Sequence, residues 1–104
     1  MKRGQIWWAH LHQPAGYRPV LLLSRDAMPL GHGEITVVYL TRTIRHRAVE
    51  VLLTRADGVP HISVVNADTL NTIRKSCLKT LICSLSAAKM DEVKKAILEA
   101  LDMT

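Results

Sequence analysis

Arg18 immediately precedes Pro19 and the apolar run Val20-Leu21-Leu22-Leu23. Proline biases the residue before it towards extended backbone, so the Arg18 guanidinium is expected to project from the mouth of a buried strand. Its planar fork of five donors suits a phosphate held at two points. At a strand edge the same group also serves as a solvated cation or a surface ion pair. Thr41 follows Val37-Val38-Tyr39-Leu40. A hydroxyl at a strand end donates to a phosphoryl oxygen or satisfies a turn carbonyl. Thr43 competes for that role, and Thr41 is preferred because the apolar run ends immediately before it. Arg42, Arg45, His46 and Arg47 form the densest basic cluster, either a solvated face or a track for a polyanionic backbone. His12, in the loop His12-Gln13-Pro14-Ala15-Gly16-Tyr17, is a candidate acid or base. Asp68 is either a turn cap after a strand or a working carboxylate. Tyr17, Trp7 and Trp8 offer ring faces on which bases stack. His10 and His12 share a strand face, but no Cys, Asp or Glu neighbours them in sequence, so no metal centre is expected.

The elements that must position these groups are short. Ile6–Leu11, Val20–Leu23, Ile35–Leu40 and Val49–Leu53 are rich in Val, Ile and Leu. Turn residues separate them (Pro14 and Gly16; Pro29, Gly31 and Gly33; Asp57, Gly58 and Pro60), so they read as strands. Ile62–Val65 makes a fifth. Strands this close in sequence suggest a small antiparallel barrel, which removes exposed edges. Trp7 and Trp8, being adjacent on a strand, must face opposite sides, so at most one is core. From about Ala88 to Leu101 the period changes. Met90, Val93, Ile97 and Leu101 make one apolar helical face, with Ser86 as the N-cap. That helix is expected to pack on its own barrel, and a shorter helical turn is expected over Lys75–Leu78.

A chain of 104 residues fits one small domain, 1–104, with a core that a second copy would help to stabilise. Residues 1–79 carry 11 Lys/Arg against 5 Asp/Glu, whereas residues 80–104 carry 3 against 4. The basic excess therefore sits with the strands and loops, as expected for an anionic partner. No apolar run approaches the roughly 20 residues that span a bilayer. The first residues enter a strand pattern without a signal-peptide core, so a soluble cytoplasmic protein is expected. Cys77 and Cys83 lack redox or zinc spacing and read as buried free thiols.

Four landmarks then occur in a telling order: KRGQIWWAHL with RPVLLLS (residues 2–11 and 18–24), Leu40-Thr41 closing the third run, Ser63–Ile73, and the closing helix. In these the chain resembles the MazF/PemK/Kid family of toxin ribonucleases over nearly its whole length. The resemblance implies a mainly β (α+β) fold, a small SH3-like barrel with a C-terminal helix. It implies a homodimer that cuts single-stranded RNA at a short sequence without metal or cofactor. It also implies a cognate, MazE-like antitoxin that occupies the RNA groove. Arg18 matches the family's catalytic arginine and Thr41 its active-site threonine. Asp68 matches an acid that in some members binds or cleaves RNA. Members often carry arginines flanking that acid; here Asn66 and Asn71 stand instead as candidates for RNA binding, beside Tyr17, Arg42, Arg45 and Arg47. The first loop is shorter than the family's glycine-rich one, which should change which bases are gripped.

RNA brings its own nucleophile, the 2′-OH, so an enzyme need only align it and stabilise charge at phosphorus. Arg18 and Thr41 would donate to the phosphoryl oxygens, giving a 2′,3′-cyclic phosphate and a 5′-OH. The general base is open between His12 and Asp68. Two other classes compete. One is a CcdB-type gyrase poison, whose aromatic C-terminal tail contrasts with Leu101-Asp102-Met103-Thr104 here. The other is a basic barrel that binds nucleic acid without cutting it.

Overall fold

Val, Ile and Leu alternate between two faces of one sheet, and that alternation builds the molecule. The structure, a computed structural model, describes residues 1–12, 14, 16–25 and 33–103. Gln13 and Ala15 of the first loop and the turn markers Pro29 and Gly31 lie outside the described residues. The strands are β1 (Gln5–His10), β2 (Tyr17–Leu22), β3 (Glu34–Thr41), β4 (Glu50–Leu53), β5 (Ser63–Arg74) and β6 (Leu78–Ser84). A helix, α1 (Ala87–Ala100), follows them. Every recorded pairing is antiparallel, and the spatial order is β4-β5-β3-β2-β1-β6. Between β5 and β6 the chain turns through a single 3-10 turn, Lys75–Cys77. The antiparallel sheet with one C-terminal helix is as expected from the sequence, but it folds into a half-barrel whose end strands are β4 and β6, where a barrel without exposed edges is expected.

Each face carries an apolar cluster. Ile6, Leu21, Val38, Leu40, Leu53 and Val65 point to one side, where Val93 and Ala96 of α1 cover them. Ala9, Val20, Leu22, Val37 and Ile73 point to the other, with Trp7 and Tyr39 packed against them. Trp7 and Trp8 therefore part company as expected: Trp7 joins the second cluster and donates its indole N–H to Gln5 Oε1 at 3.0 Å.

Three further expectations need correction. The fifth strand does not stop near Val65; β5 runs on to Arg74. Between the pairs Tyr39–Asn66 and Val37–Asn71, the single residue Val38 of β3 faces four of β5, from Ala67 to Leu70, so β5 carries a large bulge. Strand β6 has no counterpart among the strands expected from the sequence. It pairs with β1 through two register shifts, and such bulges break the period-2 pattern by which strands are recognised. Finally, Leu101 is not part of the helical face. It is the C-cap of α1 and 49% exposed, and Ala96 packs inward instead. Ser86 caps α1 as expected, its side chain accepting from the Lys89 N–H at 3.1 Å.

Candidate active site

Arg18 lies inside β2, which begins at Tyr17, and not just before it. The recorded ladder between β2 and β3 runs from Leu22–Val37 to Val20–Tyr39. It ends one residue short of Pro19, which has no N–H to give a neighbouring strand. Arg18 and Thr41 each lie two residues beyond the last pair, Val20–Tyr39, on their own strands, and both line the space that opens there. The place where the ladder stops is the mouth of a cleft of about 410 Å³, lined by Arg18, Pro19, Leu40, Thr41 and Arg42. Its apolar walls are Val59, Pro60 and Ile82, and Trp8, Tyr17, Thr43, His61 and Ser63 complete it. Two arginines and a histidine line this cleft and no carboxylate does, among the described residues. An anion entering it meets only positive or neutral groups.

The two candidate donors are held differently. The Arg18 guanidinium carbon sits 5.5 Å from the centroid of the Tyr39 ring, a cation–π contact that orients the fork. Asn71 Nδ2 donates to the Tyr39 hydroxyl at 2.8 Å, which steadies that ring. The Thr41 hydroxyl oxygen accepts the Thr43 N–H at 3.2 Å, so its own proton is left to donate into the cleft. At the rim, Trp8 and Tyr17 stack in parallel, centroids 5.1 Å apart and planes within 2°. Tyr17 is the exposed member of the pair.

Residues 2–101 match the family described as PemK-like, MazF-like toxin of type II toxin-antitoxin system. The chain belongs to that family. It is 40% identical over 93 residues to the probable endoribonuclease MazF2 of Mycobacterium tuberculosis, spanning 88% of this chain and 89% of that protein. The probable endoribonuclease MazF5 of the same organism is 34% identical over 101 residues, 96% of this chain and 92% of its own. Among solved structures, the M. tuberculosis toxin MazF-mt6 superposes with a TM-score of 0.86 at 32% identity, covering 96% of this chain and 98% of that one. A mycobacterial endoribonuclease in complex with its cognate antitoxin gives the same TM-score at 26% identity, covering 100% and 97%.

In this MazF-like toxin the structure brings together Arg18, Thr41, Thr43, Arg42, Tyr17 and Trp8 in one cleft, whose lining does not include His12, Arg45, Arg47, Asn66, Asp68 or Asn71. Asp68 lies on the β5 bulge, where its carboxylate pairs with Arg47 at 3.3 Å. It does not cap the turn after a strand. Asn66 is buried, and its amide oxygen accepts the Asp68 N–H at 3.0 Å. Thr69 Oγ1 donates to the Asn66 carbonyl at 2.6 Å and accepts the Tyr39 N–H at 2.9 Å, which closes the bulge. Asn71 reaches the site only through Tyr39. Arg47 also pairs with Glu50 at 3.4 Å, and Glu50 accepts the Arg45 N–H at 2.9 Å. Burial pushes the Glu50 carboxyl up, but the Arg45 and Arg47 backbone N–H groups and the Arg47 guanidinium outweigh it and hold it below the ordinary carboxyl value. Glu50 thus fixes the basic loop that follows Arg42. His12 is exposed beyond the end of β1 and does not line the cleft.

His61 is a cleft residue that the sequence alone does not single out, and in the sequence Ser63 appears only as the first residue of the Ser63–Ile73 landmark. His61 sits in no motif, 43 residues from Arg18, and only the return of the chain into β5 places it on the cleft wall. Cys77 and Cys83 are free thiols, as expected, though half-buried where buried thiols are expected; desolvation followed by the nearby Asp57 charge raises the Cys83 pKa. No helix among the described residues is long and apolar enough to cross a membrane.

Proposed function

We propose that this MazF-like endoribonuclease cuts single-stranded RNA at a short sequence by attack of the substrate's own 2′-OH. The products are a 2′,3′-cyclic phosphate and a 5′-OH, and growth inhibition follows from lost messages. What carries the reading is that Arg18 and Thr41 line one cleft with cations and, among the described residues, no carboxylate. A guanidinium and a neutral hydroxyl in one cleft supply donors to the oxygens of a pentavalent phosphorus, where charge accumulates. Arg18 binds the transition state; a group with a pKa above about 12 is a poor base. Arg42 and Arg45 follow the backbone of the strand on either side, and Tyr17 with Trp8 offers a platform for a base.

The reaction uses no metal. Hard divalent cations take oxygen ligands, carboxylates above all, and the charged groups around Arg18 are cationic. Two copies of the chain meet through β6, which ends the sheet and exposes Leu81 at 46%. Unpaired strand edges of this kind invite a second chain. A cognate antitoxin neutralises the enzyme by covering the RNA groove, and the protein acts in the cytoplasm as one domain.

The test is to incubate the pure protein with a long RNA in EDTA and map the new ends. Discrete internal cuts with 2′,3′-cyclic phosphate ends are expected at an unchanged rate. Replacing the single ribose 5′ to the cut by deoxyribose should stop cleavage while binding survives, because phosphate contacts do not need that hydroxyl. Cleavage of the deoxy strand would make water the nucleophile, and intact RNA throughout would leave only a binding protein.

A further inference from the structure

We propose that His61 is the general base that removes the proton from the attacking 2′-OH. This step rests on the RNA-cleavage reading above, which leaves that proton without an acceptor. Neither group nominated by sequence is placed to take it. Asp68 is paired with Arg47 on the β5 bulge, and neither it nor His12 lines the cleft. The titratable or charged groups that do line it are Tyr17 and Arg18 of β2, Arg42 after β3, and His61; β1, β5 and β6 contribute Trp8, Ser63 and Ile82. Of these, imidazole alone carries a basic lone pair near neutral pH.

The loop that carries His61 is built to hold it. Thr54 and Asp57 close a capping box over the 3-10 turn Arg55–Asp57, and Gly58 ends that turn with a left-handed φ of 107°. Val59, 3% exposed, anchors the next residue in the core, and Pro60 fixes its own φ. Beyond the histidine, Ser63, itself 6% exposed, donates its hydroxyl to the His61 carbonyl at 3.2 Å. The backbone is fixed on both sides while His61 stays exposed in the lining of the cleft that Arg18 and Thr41 also line. A base held by a rigid support is pre-organised for proton transfer.

The step balances without any further reagent. A ring nitrogen of neutral His61 takes the 2′-OH proton as the 2′-oxygen bonds to phosphorus. The bond from phosphorus to the 5′-oxygen breaks, and that oxygen takes a proton from water in the open cleft. The imidazolium then returns its proton to the hydroxide so formed.

The experiment measures single-turnover cleavage of one mapped RNA against pH for the wild type, His61→Ala and His61→Gln. Binding is followed with the same RNA carrying one deoxyribose at the cut. Both variants should lose about 10²–10⁴-fold in rate, bind within about twofold of the wild type, and lack the decline in rate at acid pH that imidazole protonation causes. Added free imidazole should restore part of the rate to His61→Ala. A His61→Gln enzyme with near-normal rate, or a His61→Ala enzyme that keeps its acid limb, overturns the assignment and leaves RNA cleavage standing. A wild type that cuts no RNA overturns the cleavage reading and this step with it. His61 is exposed, so circular dichroism of both variants should match the wild type.

Discussion

Arg18 and Thr41 line one cleft, and in the reaction we propose they carry unequal loads, because one donor is charged and the other neutral. Hydrogen bonds to charged groups are roughly twice as strong as neutral ones, and removing one preorganised donor from a charged transition state costs about 10²–10³ in rate. Arg18→Ala should therefore lose about 10²–10³-fold in single-turnover cleavage, and Thr41→Ala should lose less. Thermal unfolding of both should stay near that of the wild type, since each side chain lines the cleft and the apolar clusters are built from their neighbours. Full activity in a folded Arg18→Ala protein would remove the site assignment. Glu50 belongs to this scale too. Its side chain is 3% exposed and its pKa is lowered on folding. A depressed carboxyl contributes stability that is fully present above its unfolded pKa and is lost as pH falls through the folded value. The stability difference between the wild type and Glu50→Gln, read from melting temperature, should thus hold at neutral pH and shrink below about pH 4.5. A difference that grows on acidification would contradict the network around Arg47.

At the scale of elements, one glycine joins the site loop to the sheet edge. Gly58 has φ of 107°, and a Cβ placed there would lie 2.7 Å from the Cys83 Cβ of β6. The left-handed backbone costs a non-glycine residue about 1–2 kcal/mol, and a Cβ–Cβ contact this short requires backbone movement as well. Gly58→Ala should cost more than about 2 kcal/mol in urea unfolding, and it should slow cleavage because the His61 loop begins there. A variant with unchanged stability would show that the loop gives way freely. The same elements explain why the strands are unequally legible in sequence. In β2 and β3, Val, Ile and Leu announce buried strands whatever the partner. In β5, Asp68, Thr69 and Asn71 read as loop, yet Thr69 and Asn66 close the bulge by side-chain bonds to the backbone. A bulge needs the facing strand, and β3 lies about thirty residues away in sequence.

For the whole molecule, charge and edges decide what it meets. The chain carries a formal charge of +5, which under the proposed function should speed encounter with RNA and make binding fall as salt rises. The exposed edge of β6 is the surface we assign to a second copy. Sedimentation at micromolar concentration should show a dimer, and Leu81→Lys should shift it towards monomer without unfolding the chain, since Leu81 is nearly half exposed. A wild-type monomer under those conditions would remove the β6 interface and any RNA groove shared between copies.

Local chemistry is written in the order of residues, and much of this protein is therefore legible in its sequence alone. Runs of apolar residues, a proline after an arginine, a hydroxyl at a strand end and a helical period each act over a few neighbouring positions. They are enough to place the strands carrying Arg18 and Thr41, the closing helix and the family. Distance along the chain hides the rest. That Arg18 and Thr41 line one cleft depends on the register of β2 against β3, and that Tyr39 and Asn71 stand behind the guanidinium depends on the β5 bulge. The partition of the arginines follows the same logic: Arg42 lines the cleft, while Arg47 is taken up by Glu50 and Asp68. His61 has no signal in its own neighbourhood. Its place in the cleft comes from a buried Val59 and the return of the chain into β5, which are tertiary facts because each is fixed by atoms distant in sequence, whereas the left-handed Gly58 before them is a local cap.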